Sequence, residues 1–161
     1  MYRKILLPTD FSDCAAMALG AVIGLKEAGS REVLVLHVVD IRQCEQALVG
    51  TAWVKVDPGA YLKHLKEELT VNAESKIKEI GGEIEKAGMT ARTRIVTGVP
   101  FREILRAADE ERVDLIVIGS HGKSNIREMM LGSVSEKVVR KARQHVLVVK
   151  QGGDEAAGEQ S

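Results

Sequence analysis

Short runs of apolar and β-branched residues alternate along the chain with longer segments in which apolar residues recur every three or four positions. This alternation is typical of βαβ units built around a parallel sheet. The short runs predict five strands, at residues 2–7, 32–39, 90–97, 114–118 and 145–150. The longer segments predict four helices, at residues 12–28, 60–87, 100–113 and 133–143. We therefore expect one α/β domain over residues 1–150, an open parallel sheet with helices on both faces.

Three places interrupt this pattern. We expect Pro8 to end the first strand, because proline has no N–H to donate to a sheet. Residues 41–59 have no steady period and contain Trp53 and Pro58, so we expect a long, partly structured connection there. Residues 151–161 are small, polar and acidic, and we expect this tail to be disordered.

Composition narrows the class of protein. Aromatic residues make up only 3% of the 161 residues, so the core must be aliphatic. Twenty-three basic residues balance twenty-three acidic ones, which argues against nucleic acid or an anionic membrane as a partner. No stretch approaches the roughly 20 apolar residues that span a bilayer. Cys14 and Cys44 have neither the spacing of a metal site nor the density of a disulfide scaffold, so we expect a reducing cytoplasm.

A glycine-rich loop carries the most informative chemistry. Gly119 and Gly122 follow a predicted buried strand, and Gly132 and Ser133 precede a predicted helix. Glycines allow close backbone approach, and a helix N-terminus attracts anions, so phosphate is the natural ligand. The loop is not a P-loop, because Val117 stands where that motif needs glycine. The alternative is that the glycines only form turns and that Ser133 forms a capping box with Glu136.

The spacing G-x2-G-x9-G-[ST], met by Gly119, Gly122, Gly132 and Ser133, resembles the ATP-binding signature of universal stress proteins. The opening segment from Ile5 to Ser12 is similar to the first strand and loop of that family, and the similarity covers residues 1–150. The resemblance implies a Rossmann-like sheet of strand order 3-2-1-4-5, with the ligand at the ends of the first and fourth strands. It also implies ATP, or AMP or ADP, as the bound molecule.

The resemblance further implies a set of site residues. These are Pro8, Thr9, Asp10, Val39, Gly119, Ser120, His121, Gly122, Gly132, Ser133, Val134 and Ser135. Asp10 would contact the ribose or a nucleotide-bound Mg²⁺, Val39 would meet the adenine, and residues 133–135 would hold phosphates. Asp10 has the alternative of a plain turn residue. His121 is either a phosphate donor or a solvated loop residue, and His37, inside an apolar strand, is expected to be structural.

The sequence favours binding over chemistry. No general base stands evidently beside a nucleophile, so we expect a nucleotide-binding regulatory or stress-response switch and assign no catalytic residue. One alternative is a slow ATPase or phosphoryl-transfer enzyme, with Mg²⁺ on Asp10 and Ser133 as acceptor. Another is an interaction module that does not use nucleotide.

The last predicted strand suggests an assembly. In the order 3-2-1-4-5 it lies at the sheet edge, and from Val146 to Val149 it carries no charge or proline that would block pairing. Universal stress proteins commonly dimerise through this strand. We therefore expect a homodimer in which the strand pairs antiparallel with its copy.

Overall fold

The computed structural model describes residues 1–50, 57–122 and 131–151. Within these residues, five strands form one parallel sheet in the order β3-β2-β1-β4-β5. The strands are β1 (Lys4–Thr9), β2 (Glu32–Asp40), β3 (Thr90–Gly98), β4 (Leu115–Gly119) and β5 (His145–Val149). The helices are α1 (Asp13–Gly24), α2 (Ile41–Gly50), α3 (Pro58–Lys86), α4 (Pro100–Glu110) and α5 (Ser133–Lys141). The expected fold class and strand order are confirmed.

Helices cover both faces of the sheet and create two apolar layers. One layer joins the sheet to α1 and α3, through residues such as Val22, Ile77 and Ile84. The other joins it to α4 and α5, through residues such as Ile104 and Val138. The core is aliphatic, as the low aromatic content requires. The central strands contribute much of it, because they are buried on both faces.

The first strand continues through Pro8 to Thr9, so the expectation that Pro8 ends it is wrong. Pro8 pairs with Leu36 of β2, whereas β1 pairs with β4 only at Ile5 and Leu6. At the level of Pro8 one side of the strand therefore has no ladder to interrupt. The missing N–H is tolerated because β1 has no hydrogen-bonded pairing with β4 beyond Leu6.

The segment after β2 is more regular than the sequence suggested. Residues 41–50 form α2, so the expected count of four helices is wrong, and the described residues contain five. Asp40 caps this helix, because its Oδ1 atom accepts the N–H of Arg42 at 3.0 Å. The spacing of Ile41, Cys44 and Leu48 fits one helical face, and Cys44 is fully buried.

Smaller differences concern where elements end. Helix α1 ends at Gly24, four residues earlier than expected, and Gly29 closes the following turns with φ 99°. Helix α3 passes through Gly81 and Gly82, and a Cβ on Gly81 would lie 3.2 Å from Thr93 Cγ2 of β3. Trp53 and the tail after residue 151 lie outside the described residues. Among the described helices, none combines the length and apolar character that a membrane crossing requires.

Candidate functional site

A cleft of about 780 Å³ opens at the carboxyl ends of β1, β2 and β4, beside the first turn of α5. The chain leaves β1 for α1 on one face of the sheet and leaves β4 for α5 on the other. The cleft therefore lies where the strand order reverses, which is where open α/β sheets bind ligands. Its volume falls in the range of small-molecule sites, roughly 300 to 1,000 Å³.

Most of the residues that the sequence analysis selected line this cleft. They are Pro8, Thr9, Asp10, Val39, Gly119, His121, Gly122, Gly132, Ser133, Val134 and Ser135. The remaining one, Ser120, is only 1% exposed and does not line the cleft. Segments from the ends of three strands and the start of a helix thus meet in one place.

The loop after β1 is folded by hydrogen bonds from its own side chains. Asp10 Oδ1 accepts the N–H of Ser12 at 3.0 Å, and Thr9 Oγ1 accepts the N–H of Phe11 at 3.1 Å. Phe11 has φ 63°, a left-handed conformation that bulky residues seldom adopt. The turn role considered for Asp10 is therefore present, and it leaves Oδ2 as the oxygen that faces Gly122.

Gly119, at the end of β4, and Gly122, just after it, both lie close to neighbouring groups. A Cβ on Gly119 would lie 2.8 Å from the carbonyl carbon of Cys14, in the first turns of α1. A Cβ on Gly122 would lie 2.6 Å from Asp10 Oδ2. The first contact joins β4 to α1, and the second brings the two loops together at the cleft.

The start of α5 is fixed to the end of β4. Ser120 O accepts the N–H of Gly132 at 2.7 Å, and the Ser135 hydroxyl lies 2.7 Å from the same oxygen and 2.9 Å from Gly132 O. Gly132 is the N-cap, and no side chain caps the helix. The capping box of Ser133 with Glu136 is therefore wrong. Because the Ser135 hydroxyl is buried against carbonyls, only the backbone N–H of this residue is offered to the cleft.

His121 contacts its neighbour rather than solvent alone. Its Nδ1 atom lies 2.9 Å from the Ser120 hydroxyl. Its Nε2 atom is buried and has no hydrogen-bond partner among the described residues. A ring nitrogen of this kind in a cleft wall can hydrogen-bond a polar ligand.

The end of the cleft near β2 holds an ion pair that the sequence analysis missed. Arg42 Nε and Nη2 bind the two Asp40 oxygens at 3.0 and 2.7 Å. Burial raises the pKa of Asp40, but the hydrogen bonds and charge of Arg42 outweigh it and hold that pKa below its ordinary value. The sequence did contain a signal for this site. Asp40 stands at the end of β2, as Asp10 stands after β1.

A stack of three side chains closes one wall of the cleft. The rings of Phe11 and His37 lie 4.5 Å apart at 28°, and Lys76 Nζ lies 5.4 Å from the Phe11 ring centre. His37 Nδ1 donates to Thr9 O at 2.8 Å, which agrees with the structural role expected for this residue. Phe11 and Lys76 were missed, because nothing in the sequence joins the first loop to the middle of α3.

The carboxylates of the cleft do not form a metal centre of their own. Within the described ranges, no group of three or more His, Cys, Asp or Glu side chains is arranged to hold a metal ion. Asp10 contributes one carboxylate oxygen that is not used by its turn. This is enough for Mg²⁺ only if phosphate oxygens complete its coordination.

Comparison with known proteins places this geometry in a family. The model of the universal stress protein family matches residues 1–150. Universal stress protein MJ0577 of Methanocaldococcus jannaschii is 42% identical over 155 residues, covering 93% of this chain and 96% of that protein. The solved structure of MJ0577 matches with a TM-score of 0.83 and 40% identity, over 96% of this chain and 99% of that one.

Two more distant structures share the fold. A universal stress protein from Archaeoglobus fulgidus in complex with dAMP has a TM-score of 0.60 and 23% identity, over 92% of this chain and 98% of that one. A universal stress protein in complex with cAMP has a TM-score of 0.61 and 22% identity, over 92% and 97% of the two chains. With a family match that spans residues 1–150, this chain belongs to the universal stress protein family.

Proposed function

We propose that the protein binds an adenine nucleotide, ATP, in the cleft, and that the bound nucleotide sets a regulatory, stress-response state. One observation carries this proposal: the uncapped N-terminus of α5 opens onto the same cleft as Gly122 and Asp10. The first N–H groups of a helix have no partner within the helix, and together with the helix dipole they attract an anion. A nucleotide phosphate meets that requirement.

The predicted residues take complementary roles in this proposal. The N–H groups of residues 133–135 hold the phosphates, and the exposed Ser133 hydroxyl is free to add a further donor. Asp10 Oδ2 contacts the ribose or an Mg²⁺ that arrives with the phosphates. Val39 gives the adenine an apolar contact at the end of β2.

The choice of adenine has separate support. Two family members with this fold are solved with dAMP and with cAMP, both of which contain adenine. The triphosphate is inferred from the G-x2-G-x9-G-[ST] spacing, which resembles the ATP-binding signature of universal stress proteins. The base is therefore supported by relatives, and the number of phosphates is supported by the motif.

A phosphoryl-transfer enzyme is the second candidate, and the hydrogen-bonded pair Ser120–His121 favours it. Ser120 is 1% exposed and does not line the cleft, so its hydroxyl is not presented to a phosphate there. The Ser135 hydroxyl is held by two carbonyls. A binding protein that turns nucleotide over slowly fits these contacts better than an efficient enzyme.

The identity of the ligand can be read directly. Freshly purified protein is denatured, and the released small molecules are analysed by mass spectrometry. We expect ATP in a substantial fraction of molecules. Release of AMP alone would support an adenine-binding site but contradict the assignment of a triphosphate. Release of a compound without adenine would contradict the proposed function.

We also propose a homodimer formed through β5, from Val146 to Val149. The two sheet edges differ in charge: β3 carries Arg92 and Arg94 in ion pairs, whereas the middle of β5 is uncharged. Leu147 is 39% exposed and Val139 of the adjacent α5 is 42% exposed. An open apolar edge of this kind favours pairing with a second strand.

The state of the two cysteine thiols indicates a cellular compartment for the protein. Cys14 and Cys44 are both free and both buried. Unpaired cysteines are usual in reducing compartments. We propose the cytoplasm as the site of action on this basis.

A further inference from the structure

Three cations converge on one aromatic ring in the groove between α4 and α5. Lys137 Nζ and Lys141 Nζ lie 5.1 and 5.4 Å from the centre of the Phe101 ring, and Arg102 Cζ lies 5.7 Å from it. We call these four residues the basic groove. Cation–π contacts attract each cation to the ring, but they leave the repulsion among the three charges unrelieved.

Several cations beside the basic groove are already paired. Arg106, Arg140 and Arg143, on the same helices and just beyond them, each have an acidic partner within 4 Å. Among the described residues, the three cations of the basic groove form no ion pair. A cluster of unpaired like charges is an anion-binding surface, so its partner carries carboxylates or phosphates.

The chain itself contains a segment of the opposite charge. Residues 152–161, the acidic tail, include Asp154, Glu155 and Glu159 and contain no lysine or arginine. The whole chain has equal numbers of acidic and basic residues, so residues 1–150 carry a net charge of +3 without the tail. The charges that balance the domain therefore lie in this segment.

The tail starts close to the basic groove. Val149, the last residue of β5, accepts the N–H of Ser120, and Ser120 O in turn accepts the N–H of Gly132 at the cap of α5. Lys137 and Lys141 lie five and nine residues beyond that cap, which at 1.5 Å per residue is about 8 and 14 Å along α5. An extended chain spans about 3.3 Å per residue, so Glu155 reaches roughly 13 Å and Glu159 roughly 26 Å from Gln151. Two glycines, Gly152 and Gly153, precede the acidic residues of the tail in the sequence.

We propose that the acidic tail docks in the basic groove of its own chain. Asp154, Glu155 and Glu159 pair there with Arg102, Lys137 and Lys141, and the covalent link raises their effective concentration at the groove. Exposed ion pairs are individually weak and are screened by salt. The tail is therefore docked at low ionic strength, and an acidic segment of another protein must displace it to reach the groove.

A spin label on the tail tests this contact. Ala157→Cys adds a thiol in the acidic tail for labelling, and the native Cys14 and Cys44 are only 6% and 0% exposed, so they should react little. We expect the amide signals of Arg102, Lys137 and Lys141 to lose intensity about twofold or more at low salt, and to recover at about 1 M salt, where the Debye length is about 3 Å. Signals from the α1 and α3 face should be unchanged.

The matched control removes charge without changing length. In the labelled chain that also carries Asp154→Asn, Glu155→Gln and Glu159→Gln, the loss of intensity should disappear. Loss that persists in this neutral variant, or that spreads evenly over the surface, would overturn the proposal. A mixed sample distinguishes docking within one chain from docking between two chains. It contains spin-labelled protein without ¹⁵N and ¹⁵N protein without a spin label. Broadening of the ¹⁵N signals in this sample would mean that the tail docks on a second copy, which contradicts docking within the chain.

Discussion

Gly119 and Gly122 stand three residues apart, yet they are required for different reasons. Gly119 lies against the backbone of Cys14 and joins β4 to α1, inside the core. Gly122 lies against the side chain of Asp10, at the cleft. The first glycine serves the fold and the second serves the site, so the two can be separated by mutation.

Gly119→Ala should lower the free energy of unfolding by roughly 1–3 kcal/mol, because the added methyl overlaps backbone that cannot move freely. Gly20→Ala is the matched control: it lies in α1, a Cβ there meets nothing within 4 Å, and alanine is the better helix former. Urea denaturation measures both. Equal stability of the two variants would show that the contact between β4 and α1 is not tight.

His121 should matter little for any hydrolysis of ATP. Its Nδ1 atom is bonded to the buried Ser120 hydroxyl, and no described carboxylate orients the ring as a base. We expect slow release of phosphate, with His121→Ala within about threefold of the parent, compared with an ordinary enzyme at about 10 s⁻¹. Fast turnover that is lost in His121→Ala would favour the phosphoryl-transfer enzyme instead.

At the residue scale, the sequence predicted the parts of the site that are contiguous or that match a spacing. Gly119, Gly122 and Gly132 were found because a fixed interval joins them. Phe11 and Lys76 were not, because their contact depends on how α3 packs over the first loop. Ser135 was expected to help hold phosphates, and the direction of its hydroxyl, toward two carbonyls, could not be predicted from the sequence.

At the scale of elements, an ion network joins the N-terminal ends of the strands to the end of α4. Lys4 Nζ lies 2.9 Å from Glu111 and 3.5 Å from Glu32, and Arg92 lies 3.0 Å from Glu111. The hydrogen bond from Lys4, followed by the charges of Lys4 and Arg92, lowers the pKa of Glu111. The hydrogen bond to Glu111 raises the pKa of Lys4.

These shifts define a pH window. A carboxylate with a lowered folded-state pKa stabilises the fold above its unfolded value, about 4.5, and this contribution is lost as the pH falls through the folded-state pKa. A lysine with a raised pKa stabilises the fold below about 10.5, and this contribution is lost as the pH rises through its folded-state pKa. The network therefore contributes across the neutral range.

Glu111→Gln should lower the free energy of unfolding by about 1 kcal/mol or less at pH 7, and the difference from the parent should shrink as the pH falls below the folded-state pKa of Glu111. Glu74→Gln, an exposed position of α3 without an ion pair among the described residues, is the control and should change little. Denaturant titrations at pH 7 and at about pH 3 measure both. A difference that is the same at the two pH values would contradict the electrostatic account.

The elements that the sequence predicted well are those whose periodicity is set by burial on one or both sides. Strands β2 and β4 and helix α3 belong to this group, because their apolar residues meet the core regularly. Helix α2 was missed because it is short, and among its residues whose burial is described only Cys44 is buried. The end of β1 was misplaced because the rule for proline assumes hydrogen-bonded pairing on both sides, whereas Pro8 is paired only with β2.

At the scale of the whole molecule, the free edge of β5 decides the assembly. Val149 O bonds to Ser120 N, so Val149 directs its backbone groups toward β4. Successive residues of a strand face opposite sides, so Leu147 also faces β4, whereas Val148 faces outward. The outward N–H of Val148 is the one that a second copy would use.

Val148→Pro should therefore give a folded monomer, because proline removes an outward N–H at an edge strand. Leu147→Pro is the paired control and should instead lower the free energy of unfolding, because it removes an N–H that faces β4. Light scattering gives the mass, and circular dichroism gives the fold. A monomeric parent protein, or a dimeric and folded Val148→Pro variant, would show that β5 is not the interface.

The central claim is that this cleft binds ATP through the loop after β4, and calorimetric titration with ATP tests it most directly. The parent protein should bind one ATP per chain once co-purified nucleotide is removed. Gly122→Ala should weaken binding about tenfold or more, equivalent to about 1.4 kcal/mol, because its Cβ displaces the Asp10 carboxylate. Gly20→Ala should bind as the parent does. No heat of binding in the parent, or equal affinity in Gly122→Ala, would contradict the account.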